Sequence, residues 1–572
     1  MKEKFVRIVS TLIVVTMLVT ALAACAQRPQ VTDTPAQEPQ PTEAAPAKVD
    51  EPAPATTESS DPTEEPAEDP EAAKYGGTAT FVIASDPQNI NYFASQGGNI
   101  DCQIMMATSD WLTMYNPNTG VYEGRLLESW EQSEDGKVWT MKVRPGVKWH
   151  DGQPFTAADV VFTKELMANP DLDILDQEVS IVTKVYEVVD ELTYTVTSET
   201  PNMTELSDWT NILPKHIWEN VDPKNFSKAP EGRLMVGVGP FKMTEYKVGE
   251  YIRFDRFDDY WGGKPYLDTI YYRIIGDNAA ANAALESDQV DCVTVDATNA
   301  ERMLDNPNVS VWQGPSGNVN RLYFNLENEL FLDVRVRQAI AHLIQRDVYV
   351  EQAMRGFADP AYSDFAPTDF YYVEDPYMKY EFSVEKAKSL LEEAGFTLGS
   401  DGIYEKDGKK LDIEIFYHSG VPQAGVAILI MGPVFEEAGI KVTPKLPDDA
   451  TMAALWDEHN YVMLDGGTTM GPDPMRYQYI FATDTAKGNI MLYQNQEVKD
   501  LFAKATSSSD PEEIEATYKL IQEKIADDVP NIPLWYRHTI YAHDKNLVIE
   551  EAIPVGYVHF RFLRMDKLYF KK

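Results

Sequence analysis

The pattern of apolar and polar positions divides the chain near residue 75. Ile8 to Ala21 is almost wholly apolar, interrupted only by Ser10, Thr11, Thr16 and Thr20, and Lys2, Lys4 and Arg7 precede it. The run is short for a membrane span and small residues follow, which is the pattern of a secretory signal peptide. Residues 26–74 hold ten prolines, no aromatic residue and twelve acidic groups against Arg28, Lys48 and Lys74. Such a segment buries too little apolar surface to offset the entropy of ordering, and its prolines and like charges predict an extended tether. From Tyr75 onward strand and helix patterns mix. Thr78 to Ile83 is rich in β-formers, and Trp139, Met141 and Val143 alternate with Thr140, Lys142 and Arg144, as do Leu411, Ile413 and Ile415 with Asp412 and Glu414. These read as strands. Val336, Ala339, Ile340, Leu343 and Ile344 recur at helical spacing after a capping Asp333. Ser383 predicts a second cap, with Ala387, Leu390, Leu391 and Ala394 behind it and Gly395 as the stop. Asp510-Pro511 starts a third helix with Ile514, Tyr518, Ile521 and Ile525 as its stripe; Pro530 and Pro533 end it before an apolar strand around Leu534 to Tyr536. Together these elements predict an α/β architecture with more than one core.

Charge and chemistry narrow the function by exclusion. The net charge is −41; the signal segment carries +2 and the tether −9, leaving −34 for the rest. A surface this acidic repels nucleic acid. The segment Leu22-Ala23-Ala24-Cys25 resembles the bacterial lipobox, which implies cleavage before Cys25 and a lipid anchor on its sulfur at a membrane surface. Cys102 and Cys292 are the other cysteines, and an extracytoplasmic address permits a disulfide or two separate thiols. No Gly-x-Ser-x-Gly elbow, His-Glu-x-x-His helix or phosphate-binding loop is present, so no catalytic constellation and no cofactor is predicted. His538 and His543 are spaced wrongly for one helical face, and His150-Asp151 reads as a structural turn. Asp171, Asp173 and Asp176 lack the glycine of a calcium loop.

One stretch is specific. Residues 126–163, Leu-Leu-Glu-Ser-Trp through Lys-Trp-His-Asp-Gly-Gln-Pro-Phe-Thr-Ala-Ala-Asp-Val-Val-Phe-Thr, resemble the signature of the family 5 extracellular solute-binding proteins, the dipeptide- and oligopeptide-binding group. Asp135-Gly136, Pro145-Gly146 and Asp151-Gly152 make its turns, and Thr156 caps a helix from Ala157. Tyr75-Gly76-Gly77-Thr78, Ile212-Leu213-Pro214-Lys215-His216, Gly237-Val238-Gly239-Pro240-Phe241, Asp259-Tyr260-Trp261-Gly262-Gly263-Lys264-Pro265 and Asp333-Val334-Arg335-Val336-Arg337-Gln338-Ala339 are similar to further family motifs in the same order. The resemblance implies a two-lobed periplasmic-binding-protein fold with an inserted domain: 75–112, 213–318 and 537–572 in lobe one, 113–212 as the insertion, and 319–536 in lobe two. It implies a monomeric receptor that closes on a solute in the cleft between its lobes and serves an ABC permease outside the cytoplasmic membrane, with no catalysis.

The same resemblance directs Asn91 to Ile100 and the segment Asp465 to Pro474, read as a loop, to the cleft. In many peptide-binding members an aspartate three residues before the acidic-Pro pair neutralises the peptide's ammonium group. Here that position is Met470, a soft apolar contact, with Asp465 and Asp473 as nearby carboxylates. An uncharged oligosaccharide is one alternative ligand, for which Tyr92, Phe93, Gln96, Asn99, Trp111, Trp456, Thr468 and Thr469 offer aromatic faces and neutral hydrogen-bonding groups; metal chelates and other solutes are a third class. A surface adaptor without a small ligand, and a hydrolase with a site split between lobes, are rival classes on the same fold.

Overall fold

The computed structural model describes residues 71–572 apart from 88–103, 106, 117–120, 173–183, 202–204, 208–210, 234, 418–421, 470–473, 485–487, 509 and 550–563. The signal segment with Cys25, nearly all of the tether, and Cys102, Asp173 and Asp176 lie outside the described residues. Cys292 is a buried free thiol.

Fifteen strands build the two main sheets. They are β1 (Thr78–Ile83), β2 (Leu127–Gln132), β3 (Val138–Val143), β4 (Lys184–Val188), β5 (Thr193–Ser198), β6 (Phe241–Lys247), β7 (Tyr251–Arg256), β8 (Thr269–Ile274), β9 (Cys292–Thr294), β10 (Val309–Phe324), β11 (Ala358–Pro360), β12 (Asp412–Phe416), β13 (Lys441–Lys445), β14 (Met463–Thr469) and β15 (Asn531–Asp544). Eleven of them form one sheet in the order β13-β12-β14-β10-β15-β9-β1-β8-β7-β6, with β11 also on β15. A separate four-stranded sheet has the order β2-β3-β5-β4.

The alternation expected along β3 is present: Trp139, Met141 and Val143 are buried while Thr140 and Lys142 face out. Strands at the centre of the large sheet are covered on both faces and so lose that alternation. In β10, Leu322 and Phe324 pack into a core with Val336, Ala387, Leu391, Ile413 and Trp535. The intervening Tyr323 packs into another with Leu464, Tyr477, Phe502 and Ile521. The other end of the sheet has its own cores around Phe81, Phe254 and Tyr272 on one side and Leu285, Val293 and Met303 on the other. The four-stranded sheet encloses a further core around Trp139, Trp149, Phe155 and Val160.

Five helices show how local sequence sets the boundaries. They are α1 (Ala157–Met167), α2 (Val334–Ala341), α3 (Val384–Glu393), α4 (Asp449–Glu458) and α5 (Pro511–Asp528). Asp333, Ser383, Asp448 and Asp510 each accept a backbone N–H from the first turn of the helix that follows. Two expectations are corrected. α2 ends at Ala341, so Leu343 and Ile344 are buried beyond the helix rather than on its stripe. The strand after α5 begins at Asn531 and takes Pro533 inside it. A proline cannot donate to the ladder, and the register slips there, with Asn320 opposite Trp535 but Arg321 opposite Pro533.

The scattered sequence motifs converge on one joint. His150, from the 126–163 stretch, is half-buried against the Gly237-Val238-Gly239 motif: Gly237 N–H donates to its Nδ1 at 3.1 Å, and its Nε2–H donates to the Gly239 carbonyl at 3.0 Å. Burial pushes its pKa down to about 4, so the ring is neutral. Asp159, in the first turn of α1, accepts from Thr156 N–H at 2.8 Å and from Lys215 N–H at 2.9 Å. Lys148 reaches Asp259 at 2.8 Å and His216 reaches Asp151 at 2.7 Å. The residues that make the sequence recognisable therefore fasten the inserted sheet to the large one.

Candidate functional site

β10 and β15 run antiparallel for most of their length. Their pairing is regular from Val309–Asp544 to Pro315–His538, slips, and resumes at Asn318–Arg537. Before the slip the neighbour of this ribbon is β9; beyond it the neighbours are β14 and β11. The irregular stretch thus lies where the sheet passes from one set of cores to the other.

Parallel strands point their carboxyl ends toward the same stretch of chain. β12 runs parallel to β13 and β14, ending at Phe416 and Thr469, and β1 runs parallel to β8, ending at Ile83 and Ile274. Open α/β sheets bind ligands beyond such ends. The polar residues of β10 and β14 collect there. Asn318 Nδ2 donates to Thr469 Oγ1 at 3.0 Å, and Asn320 Nδ2 donates to Asp465 Oδ2 at 2.8 Å. On the opposite face Arg321 is wholly buried. Its Nε donates to Asp364 Oδ1 at 3.0 Å, one Nη donates to the Val319 carbonyl at 2.9 Å and to Thr468 Oγ1, and the other Nη donates to the Asp364 carbonyl. Tyr377 donates to Asp364 Oδ2 at 2.9 Å. Trp456, half-buried on α4, sets its ring edge against Tyr323 at 5.9 Å between centroids.

Four of the residues expected in the site, Trp456, Asp465, Thr468 and Thr469, are therefore gathered at one end of the sheet. Asp465 to Thr469 are strand rather than loop, because the Gly466-Gly467 pair is held in the ladder opposite Arg321 and Asn320. Trp111 is half-buried in a different segment, its N–H on Asp110 and its carbonyl accepting from Leu126. Tyr92, Phe93, Gln96, Asn99, Met470 and Asp473 lie outside the described residues. Sequence reasoning missed Asn318, Asn320, Arg321 and Asp364. The available signal was the polar run Asn318-Val319-Asn320-Arg321 entering the apolar Leu322-Tyr323-Phe324.

Asp465 is 2% exposed, and desolvation raises its pKa to about 7, moderated by the Asn320 amide. The folded value lies above the unfolded one, so the folded state binds more protons between them. The contribution to stability is full below about pH 4 and is lost as the pH rises through about 7. Asp465→Asn removes the ionisation and keeps a partner for Asn320. It is expected to raise stability at about pH 8 by on the order of 2–4 kcal/mol and to flatten the dependence between about pH 4 and 7. Urea denaturation across that range checks this, and an unchanged slope would contradict it.

Residues 121–489 match the family described as bacterial extracellular solute-binding proteins, family 5. The chain is 32% identical over 437 residues to the oligopeptide-binding protein AppA of Bacillus subtilis, covering 74% of this chain and 79% of that protein. Its structure is similar to that of CtaP, an ABC transporter substrate-binding protein from Listeria monocytogenes, with a TM-score of 0.78 and 26% identity over 87% of this chain and all of CtaP. It is similar also to B. subtilis AppA in complex with a nonapeptide, with a TM-score of 0.73 and 27% identity over 87% of this chain and all of that one. The α/β architecture is thus the two-lobed periplasmic-binding-protein fold. No helix among the described residues is long and apolar enough to cross a membrane. The family match over residues 121–489 and the likeness to AppA agree, and the chain belongs to the family 5 bacterial extracellular solute-binding proteins, which are transport components rather than enzymes.

Proposed function

We propose that this chain is the receptor of an ABC importer, and that it captures an oligopeptide-like solute by closing its lobes and delivers it to the membrane permease. The observation that carries the peptide reading is the likeness to AppA, in sequence to an oligopeptide-binding protein and in structure to its nonapeptide complex. The polar sheet end around Asn318, Thr468 and Thr469 supports it, because an extended peptide presents backbone donors and acceptors in need of such partners.

Closure is assigned to the interrupted ribbon. Bending at Pro315–Asn318 disturbs few ladder bonds, since the register is already broken there. The proposed division takes 75–112, 213–318 and 537–572 as lobe one, 113–212 as the insertion and 319–536 as lobe two. The cores support it with two adjustments: Trp218, Phe226 and Val238 pack with the inserted core, so the chain to about 238 goes with the insertion, and Phe357 packs with Leu285 and Met303 of lobe one. Cys25 is proposed as the lipid attachment, holding a monomer on the outer face of the cytoplasmic membrane.

Thermal-shift screening against peptide and oligosaccharide libraries tests the ligand class. Peptides are expected to raise the melting temperature, by an amount set by concentration over Kd. They are also expected to reduce the radius of gyration in solution scattering. Hits confined to oligosaccharides would overturn the peptide reading, and no hit in either library would favour an adaptor. Labelled-lipid incorporation that persists in Cys25→Ala would refute the anchor.

A further inference from the structure

The chain has 91 acidic against 50 basic residues, so an arginine without a carboxylate is unexpected. Arg537 is one. Among the arginines whose side chains are described, it alone has no hydrogen bond, ion pair or aromatic ring against its guanidinium. Arg125, Arg302, Arg335, Arg355 and Arg564 meet carboxylates, and even the buried Arg346 donates to the Pro533 carbonyl. The nearest acidic residue on the adjoining strand, Asp359 of β11, is taken by His538 at 2.8 Å.

The position of Arg537 is as informative as its lack of a partner. It is the first residue on β15 after the slip, paired with Asn318 on β10, which is paired in turn with Thr469 on β14. Direct cross-strand partners point to the same face, so Thr469, Asn318 and Arg537 form a row across three strands spaced about 4.8 Å apart. That row lies at the joint between the two sets of cores and at the carboxyl end of β14. Ser316 Oγ donates to the Arg537 carbonyl at 2.6 Å, which fixes the backbone under the side chain. Arg537 is open to solvent, and the protein around it lowers its pKa by desolvation. Thr469 is prepared in the same sense: its oxygen accepts from Asn318, so its hydroxyl hydrogen remains to donate.

We propose that Arg537, with Thr469 and Asn318 beside it, is a carboxylate subsite that pairs bidentately with an acidic group of the bound solute. A planar guanidinium with all its donors uncommitted matches a carboxylate in geometry and charge, and lysine would not reproduce the fork. The assignment rests on the peptide reading above. A peptide supplies the carboxylate from its C-terminus or from an aspartate or glutamate side chain, and the two sources share the same chemistry.

The experiment measures Kd by calorimetry for wild type, Arg537→Gln and Arg537→Lys in the full chain. The probes are peptides that bind the wild type, each with its C-terminally amidated form and its Asp-to-Asn or Glu-to-Gln form. Arg537→Gln is expected to weaken the carboxylate-bearing peptide by roughly tenfold or more and to leave one neutralised form unchanged; which form is spared names the source. Arg537→Lys is expected to recover part of the loss. Because the side chain has no partner among the described residues, the melting temperature of the unliganded protein should not move. Equal losses for charged and neutralised peptides, or no loss, would overturn the subsite. If no peptide binds the wild type, the peptide reading fails by itself. Arg537 is then judged by phenylglyoxal labelling mapped by mass spectrometry: protection by malonate but not by malonamide upholds the subsite, and no protection overturns it.

Discussion

Asp364→Asn is expected to destabilise the protein by about 3–5 kcal/mol, because it leaves the Arg321 charge buried without its counter-charge. Neither side chain of this pair is more than 1% exposed. Burial alone would lower the Arg321 pKa, but Tyr323 and Asp364 more than offset it, so the guanidinium stays charged in the folded state. An asparagine keeps one acceptor oxygen but not the charge, and its amide faces either the guanidinium or Tyr377 as a second donor. The loss should reach the proposed ligand site as well as the core. Arg321 holds the Thr468 hydroxyl, Thr468 adjoins Thr469, and Thr469 is held by Asn318. Urea denaturation reads the stability, and peptide affinity read at temperatures where the variant is folded should fall with it. Replacing both residues by apolar side chains of similar size should cost less than Asp364→Asn alone, since no charge is then stranded. A cost below about 1 kcal/mol for Asp364→Asn would show that the pair is not ionised or not dry.

That pair marks the limit of what the sequence discloses. Periodicity and caps located β3, α3 and α5, because those signals are local: alternate burial of Trp139, Met141 and Val143, and a side-chain oxygen at Ser383 or Asp510 meeting the N–H groups of the next turn. The family resemblance was carried by residues 126–163 and the motifs that follow, and it reached the fold. It also directed the segment with Thr468 and Thr469 to the cleft, and in the structure both residues lie at the carboxyl end of β14. What could not be read was which polar residue goes inside. Asp465 precedes two glycines, a loop signal, yet it is buried in a strand because β10 supplies both ladder partners and the Asn320 amide. Arg321 and Asp364 are 43 residues apart, and Arg537 and Asn318 are joined only through strand order. Both relationships are tertiary, and nothing in the spacing of the residues announces them.

Gly237→Ala is expected to have a comparably large effect for a steric reason. Gly237 and Gly239 bring their chain against the segment that carries Thr108. A Cβ on Gly237 would stand 1.8 Å from the Thr108 carbonyl oxygen, and one on Gly239 would stand 2.5 Å from the Thr108 carbonyl carbon. Both obstacles are backbone, so no rotamer change relieves them, and the two segments must separate. The Gly239 N–H bond to the Thr108 carbonyl at 2.8 Å is then lost. So is the pair of bonds that holds the half-buried, neutral ring of His150. The expected cost is roughly 3–5 kcal/mol, at or above the upper range for overpacking, because a backbone clash adds to stranded polar groups. Gly146→Ala makes the control. Nothing lies within 4 Å of a Cβ there, and its positive φ of +78° should limit the cost to about 1 kcal/mol. The readouts separate this joint from the ligand site. Gly237→Ala should lower the urea midpoint strongly while the peptide affinity of the folded fraction stays near wild type, since the joint fastens the four-stranded sheet and does not line the Asn318–Thr469 row. A Gly237→Ala protein as stable as Gly146→Ala would show that the two segments are not packed as closely as the geometry requires.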